Sequence, residues 1–579
     1  MAVVWPGIES SMAAPLLMAM LERHDGMRNR LVGVAGRRGR AGGQGRHGGG
    51  ASGVMIGSPC EESPMLNMMF AMMLTLAGTA PTGQLYSSND WSRDHAAHLL
   101  RRAGFGGTPE QIDFLHQMGR RKAVDYLLNY ENEPDETLPI EVARAARPDR
   151  MARMEMSEQE RQREQMRLRR ESAAQLTRVL DWWIQTMVAT PRPLQEKLVL
   201  FWHGHFTSGF REVKSSYLLY QQNELFRKHA AGNFRDLLLD VTADGAMVLY
   251  LNSQQNRKGK PNENYARELM ELFTMGSGHY TEKDIKEAAR ALTGIQIDPA
   301  TGETTFNRRQ HDDGVKTFLG RTGPWGPADI VDIILAQPAT AEFLAAKFWT
   351  FFAHEDPPPN VVKALARTLR KNKYDLKPML REMFLSDLFY GEKARFTHIK
   401  SPVELVVGTM RMLEVPPRDT LAINVALRQM GQQLMQPPNV KGWDGGASWI
   451  STSTLFNRYN LVGMILDGTD NPRERARRAA MRRQLEATLG GEAMDARLAD
   501  AAQPPFDPLP MIRANKLDSP EAVVDYFVRR LLQREIAQGR RQILIRALKD
   551  ELPESGQIDA ASVRLLLHLI VSMPEYQLS

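Results

Sequence analysis

From Asp90 to Ser579, apolar residues recur at three- and four-residue spacing with few interruptions, and strand-like alternation is rare. Successive helical residues turn by about 100°, so this spacing gathers one apolar stripe per segment, which a neighbouring helix must cover. The boundaries carry matching punctuation. Thr108, Pro109 and Glu110 stand where a cap, a first helical residue and a first-turn acid belong, ahead of "QIDFLHQMGRRKAVDYLLNY". Ser519-Pro520 opens "EAVVDYFVRRLLQREI" in the same way, and "SRDHAAHLLRRAGFG" starts on Ser92 and stops at Gly104 or Gly106. The predicted fold class is mainly α: a large multi-helix globular domain with Pro/Gly-rich loops over residues 90–579.

Ahead of this domain the composition changes. Residues 1–64 form an Arg/Gly-rich leader in which "GMRNRLVGVAGRRGRAGGQGRHGGGASG" has almost nothing to bury, so disorder is expected there. Residues 65–80, "MLNMMFAMMLTLAGTA", are apolar and end in small residues. That is the pattern of a secretory signal peptide, with Ala77 or Ala80 just before the cut. On this reading translation begins near Met55 or Met65 and the protein is exported to the periplasm or cell surface. The competing reading is a disordered tail followed by a buried helix. No stretch beyond Ala80 is long enough for a transmembrane helix. Residues 26–53 carry six arginines and no acidic residue, so without that stretch the chain is close to neutral, and no basic stripe with interleaved aromatics marks a nucleic-acid interface. A lone cysteine, Cys60, excludes an internal disulfide and a Cys-rich zinc site.

Within the domain, residues 149–175 are charged on nearly all sides and read as an exposed helical insertion, while "QPPFDPLP" at 503–510 reads as a linker before the C-terminal helices. The most informative short stretch is "PNENYARELMELFTMG", Pro261 to Gly276. Asn262 or Asn264 is the expected cap and Gly276 the expected stop. Tyr265, Leu269, Leu272 and Phe273 share one face; Arg267, Glu271, Asn264 and Glu268 fall on an adjoining arc. Two carboxylates one turn apart can hold a metal together, or one can act as a base that the other orients. The same residues can equally form an Arg–carboxylate lock between helices.

Three further stretches bear chemistry. In "FWHGHFTSG" a helix would point His203 and His205 to different sides, one joining the apolar face and the other free to act as ligand or base. His311, Asp312 and Asp313 share a turn ending at Gly314, which suits a metal ligand set, a base with its orienter, or simply a turn. Trp443 and Trp449 flank Gly445 and Gly446, giving a loop that can stack on sugars or a partner, or pin itself to the core.

The stretches "AAHLLRRAGFG", "FWHGHFTSG", "NENYARELMELFTMG", "YTEKDIKEAARALTG", "HDDGVKTFLG", "QPPNVKGWDGG" and "LLLHLIVSMPEYQLS" follow one another from near His95 to the C-terminus. This order resembles the large bacterial family called domain of unknown function 1800. The resemblance implies a mostly helical, typically exported protein that is often encoded beside a second exported, sulfatase-like family. It brings no reaction with it. It does raise the expectation that His203, Asn262, Glu263, Asn264, Glu268, Glu271, His311 and Asp312 converge. Two functions follow. One is a metal-assisted hydrolase acting on a surface polymer, with a divalent metal on His203, Glu268, His311 and Asp312, and with Glu268, Glu271, Arg267 and Asn264 as the catalytic set. The other is a non-catalytic scaffold or adaptor for the sulfatase-like partner, with Trp443 and Trp449 binding polysaccharide or protein.

Overall fold

The computed structural model describes residues 90–135, 139–146, 148, 150–298, 301–417, 420–466 and 505–579. Contacts divide the chain into Met1–Thr82 and Gly83–Ser579. The leader and the apolar run at 65–80 lie outside the described residues, as do Gln503 and Pro504 of the expected linker. The second unit is mainly α, and none of its described helices is long and apolar enough to cross a membrane.

Helix starts follow the cap chemistry of the sequence. Ser92, Thr108, Ser157 and Ser401 each accept from the backbone N–H three residues on, and the side chain there reaches back to the cap. The stretch after Thr108 is two helices, Pro109–Met118 and Arg120–Leu128. Gly119 breaks it at φ 78°, a left-handed backbone that other residues adopt only with strain. The charged segment forms Arg150–Glu155 and the start of a 32-residue helix, Glu158–Ala189. The latter is exposed on its flanks as far as Glu171 and enters the core from Ser172 onward. Its exposed half is held by Arg167, which pairs with Glu164 and Glu171 at 2.6 Å.

The core is centred on aromatic residues of five helices and the turns beside them. Trp183, Trp202, Trp349, Phe206, Phe226, Phe234 and Phe273 are fully buried. Trp202, Phe206 and Phe234 form a triangle of near-parallel rings with centroids 5.6–6.2 Å apart, and Phe206 meets Phe273 edge-on at 5.1 Å. Burying each phenylalanine contributes about 1.5–3 kcal/mol before side-chain entropy is subtracted. Around this centre the Pro193–His205 and Ser216–Lys228 helices pack together, and Ser216–Lys228 also lies on Glu158–Ala189. Pro520–Leu531, Gln538–Asp550 and Ala560–Ser572 form a C-terminal group, which joins the rest through Thr452–Leu466 and Pro402–Leu413.

Two small antiparallel hairpins interrupt the helical pattern. Ile295–Ile297 pairs with Thr304–Phe306, and Lys316–Phe318 pairs with Arg321–Gly323. Between them hangs the turn that carries His311 and Asp312.

Candidate functional site

The Pro193–His205 helix carries its two histidines to separate partners, as their two-residue spacing requires. His203 is 3% exposed, and its Nε2 accepts from the backbone N–H of Met435 at 3.0 Å. Burial pushes this imidazole down to about 4, which keeps it neutral and able to accept. Trp183 meets its ring edge-on at 5.2 Å and Trp443 lies 5.5 Å away. His205 turns toward the aromatic centre; its Nε2 donates to the Phe273 carbonyl at 3.0 Å, and burial lowers it to about 3. Both rings are thus committed to backbone groups of distant segments.

The residues after His205 fold against the loop that bears Trp443. Thr207 donates to the Val440 carbonyl at 2.7 Å, and the N–H of Phe210 donates to the Met435 carbonyl at 2.9 Å. Gly442, at φ 83°, packs so closely that a Cβ there would lie 2.4 Å from the Gly204 carbonyl oxygen. Ser208 accepts from Gln222 at 3.0 Å, and the same amide donates to Asp244 at 2.7 Å. Asp244 is deeply buried with no cation paired to it among the described residues, and burial raises its carboxyl to about 7.

The Asn264–Glu271 helix starts differently from expectation. Glu263 occupies the cap position with helical dihedrals and no side-chain cap bond, while Asn262 accepts from the Asn264 N–H at 3.0 Å. Gly276, at φ 76°, closes the stretch as expected. Tyr265, Ala266, Leu269 and Met270 face the core. On the polar arc, Arg267 is engaged by both oxygens of Glu282, at 2.8 and 2.9 Å, and by Glu263 at 3.5 Å. Glu271 accepts from the Tyr280 hydroxyl at 3.0 Å. Glu268 is half-buried, and among the described residues its carboxylate has neither a hydrogen bond nor an ion pair. Burial and then the Glu271 carboxylate push its carboxyl upward, and Arg267 opposes them. Its charge also acts on Tyr250, whose hydroxyl is hydrogen-bonded to Thr207. Tyr250, within reach of the Glu268 charge, is tied through Thr207 to the segment that follows His205 and to the Val440 carbonyl of the Trp443 loop.

The His311 turn is tied to a different helix. His311 is 6% exposed, with Nδ1 3.0 Å from the Thr293 carbonyl. Asp312 takes two bonds from Arg290, at 2.8 and 3.2 Å, and this guanidinium lowers its carboxyl to about 2. Lys316, fully buried, donates to the carbonyls of Asp312 and Gly314. Among the described residues no group of three or more His, Cys, Asp or Glu is arranged to hold a metal ion, so His203, Glu268, His311 and Asp312 do not form one. The tryptophans also divide: Trp449 is 6% exposed and offers no face to a sugar, whereas Trp443 is half-buried beside His203.

The structure places Trp443 beside His203 and ties Tyr250 through Thr207 to the Trp443 loop, while Glu268 acts on Tyr250 through its charge and shares its helix with Arg267 and Glu271. Sequence reasoning missed Tyr250, whose setting in "AMVLYLNS" looks like ordinary core, and Asp244, which looks like a helix cap and is one. Residues 98–578 match the family model described as "Protein of unknown function (DUF1800)". No curated protein and no solved structure matches the chain.

Proposed function

This chain belongs to the DUF1800 family, and on that premise we propose that it is an exported hydrolase acting on a surface polymer, with Glu268 as its acid–base group. The observation that supports this most is the half-buried Glu268 carboxyl, without a hydrogen-bond or ion-pair partner among the described residues. Its proton affinity is raised by burial and by Glu271. A carboxyl raised in this way keeps its proton to higher pH than an ordinary carboxylate, which is the direction a general acid for a leaving oxygen needs. The metal-assisted form of this reading lacks a three-ligand group among the described residues, so acid–base chemistry is the form the geometry favours. Arg267 is already engaged by Glu282 and Glu263, and holds the helix rather than an anionic substrate group. Trp443 is the platform for a sugar ring; Trp449 supports the loop from beneath.

The test is release of new reducing ends from isolated cell-surface polysaccharide and peptidoglycan by the purified protein. Release that falls at least about a hundredfold in Glu268→Gln, with an unchanged unfolding midpoint, is the expected result. No release, or equal release by the variant, overturns the assignment.

A second reading rests on the long helix. Its first half, from Glu158 to Glu171, is exposed, as is Met166 on it and Met151 and Met154 just before. This half suits an adaptor arm for a co-exported sulfatase-like protein. Co-purification of such a partner by the wild type, lost when residues 150–171 are replaced by a short Gly/Ser loop, would favour it.

A further inference from the structure

A cleft of about 300 Å3 opens along the Arg120–Leu128 helix, lined by Met118, Lys122, Asp125, Tyr126, Asn129 and Asn132. That is the lower end of the range for small-molecule sites. None of these residues belongs to the segments that bear Glu268 and Trp443. Lys122, Asp125 and Tyr126 share one face of the helix, and Asn129, its C-cap, continues that face. Met118 precedes the left-handed Gly119, and the Tyr130–Asn132 turn adds Asn132. The lining sets an aromatic ring beside unspent polar groups. Tyr126 is half-buried, its hydroxyl donates to Glu133, and the exposed Phe114 meets its ring edge-on at 5.5 Å. Arg381 donates to both oxygens of Asp125, at 2.6 and 3.1 Å, which fixes the carboxylate and leaves it further lone pairs. The Lys122 ammonium and the Asn129 and Asn132 carboxamides have no hydrogen-bond or ion-pair partner among the described residues.

Lys122 and Arg381 balance Asp125 and Glu133, so the cleft offers no excess charge to an ion. Hydroxyls both donate and accept, as the carboxamides do, whereas an apolar ligand would displace water from them without replacing its hydrogen bonds. We propose that this cleft binds an uncharged pyranose unit of a glycan, stacked on Tyr126, with hydroxyls that donate to Asp125 and accept from Lys122, Asn129 and Asn132. Its role, a second hold on the polymer that Glu268 cleaves, rests on the hydrolase reading; the binding itself does not.

The test uses the full chain carrying Trp443→Ala, which removes the loop platform, and titrates it with tetrasaccharides of glucose, galactose, mannose and N-acetylglucosamine by calorimetry. At least one should bind saturably, and adding Tyr126→Ala or Asn129→Ala should weaken it at least about tenfold with an unchanged unfolding midpoint. If Tyr126→Ala fails to fold, the exposed Asn129→Ala decides. No binding by any of the four, or binding indifferent to both substitutions, overturns the proposal and leaves the hydrolase reading standing. Binding lost in these variants, by a protein that releases no reducing ends, upholds the cleft and sinks the hydrolase reading instead.

Discussion

Two Arg- and Glu-bearing clusters in this protein have the same chemistry and opposite settings. Arg267 and Glu282 pair on the surface, with side chains 37% and 69% exposed. Lys197 and Glu404 pair in the interior at 0% and 7%, with Arg102 and His398 against the same carboxylate. In water the pair is screened and its two long side chains lose freedom, so little net stability remains. Inside, the attraction offsets a desolvation cost already incurred, and removing one partner strands the others. The cluster that looks most like a site in the sequence is therefore the weaker lock, and the stronger lock gathers residues from separate segments, of which only the stretch bearing Arg102 was singled out in the sequence.

The comparison predicts a ranking. Glu404→Gln leaves Lys197 and Arg102 buried without their carboxylate, and should cost about 3–5 kcal/mol in urea unfolding, or prevent folding. A loss below about 1 kcal/mol would break the contrast between the two clusters. Asp244 sharpens it as a buried carboxyl with no cation. Its folded value of about 7 lies above the ordinary 3.8, so its contribution is complete below pH 4 and is lost as pH rises to 7. The full change is roughly 4 kcal/mol. His203, lowered to about 4, works in the opposite direction, losing its contribution as pH falls from 6.5 toward 4. Urea midpoints across pH 4–8 should separate the two, because the loss on raising pH should vanish in Asp244→Asn while the loss on lowering it remains.

Gly442→Ala comes next, at about 1–3 kcal/mol, since it combines a left-handed backbone with an approach to the Gly204 carbonyl. Chemical denaturation measures it, and no change would mean that the Trp443 loop is free of the helix end. Smallest is Arg267→Ala, at most about 1 kcal/mol, and less in high salt. A large thermal shift there would make the exposed cluster a structural lock after all.

How far the sequence could be read follows the same division. Fold class was legible because capping and apolar spacing are local: Ser92, Thr108 and Ser519 do cap their helices. The opposed directions of His203 and His205 were legible for the same reason. Their partners were not, because Met435 and Phe273 contribute backbone groups, which any residue type supplies. The break at Gly119 escaped because a glycine inside an apolar pattern reads as tolerated until its φ is known. The Glu268 arc was visible as a stripe, but only the fold distinguishes the engaged Arg267 from the unpartnered Glu268. The Glu404 cluster was invisible, since besides Arg102 it draws on Lys197, His398, Lys400 and Arg458, which no singled-out stretch contains.

The contact of Arg102 with Ser579, at 2.8 Å, joins residues 477 positions apart. Beside it the Ser579 N–H donates to the His398 carbonyl, and Leu578 pairs with Ile399. The Arg93–Arg102 helix therefore cannot complete these contacts until residues 578 and 579 have been synthesised. Such long-range closure is slow compared with helix formation. During translation the early helices stand with their buried arginines exposed to water, and the chain stays open to whatever receives it as it leaves the ribosome.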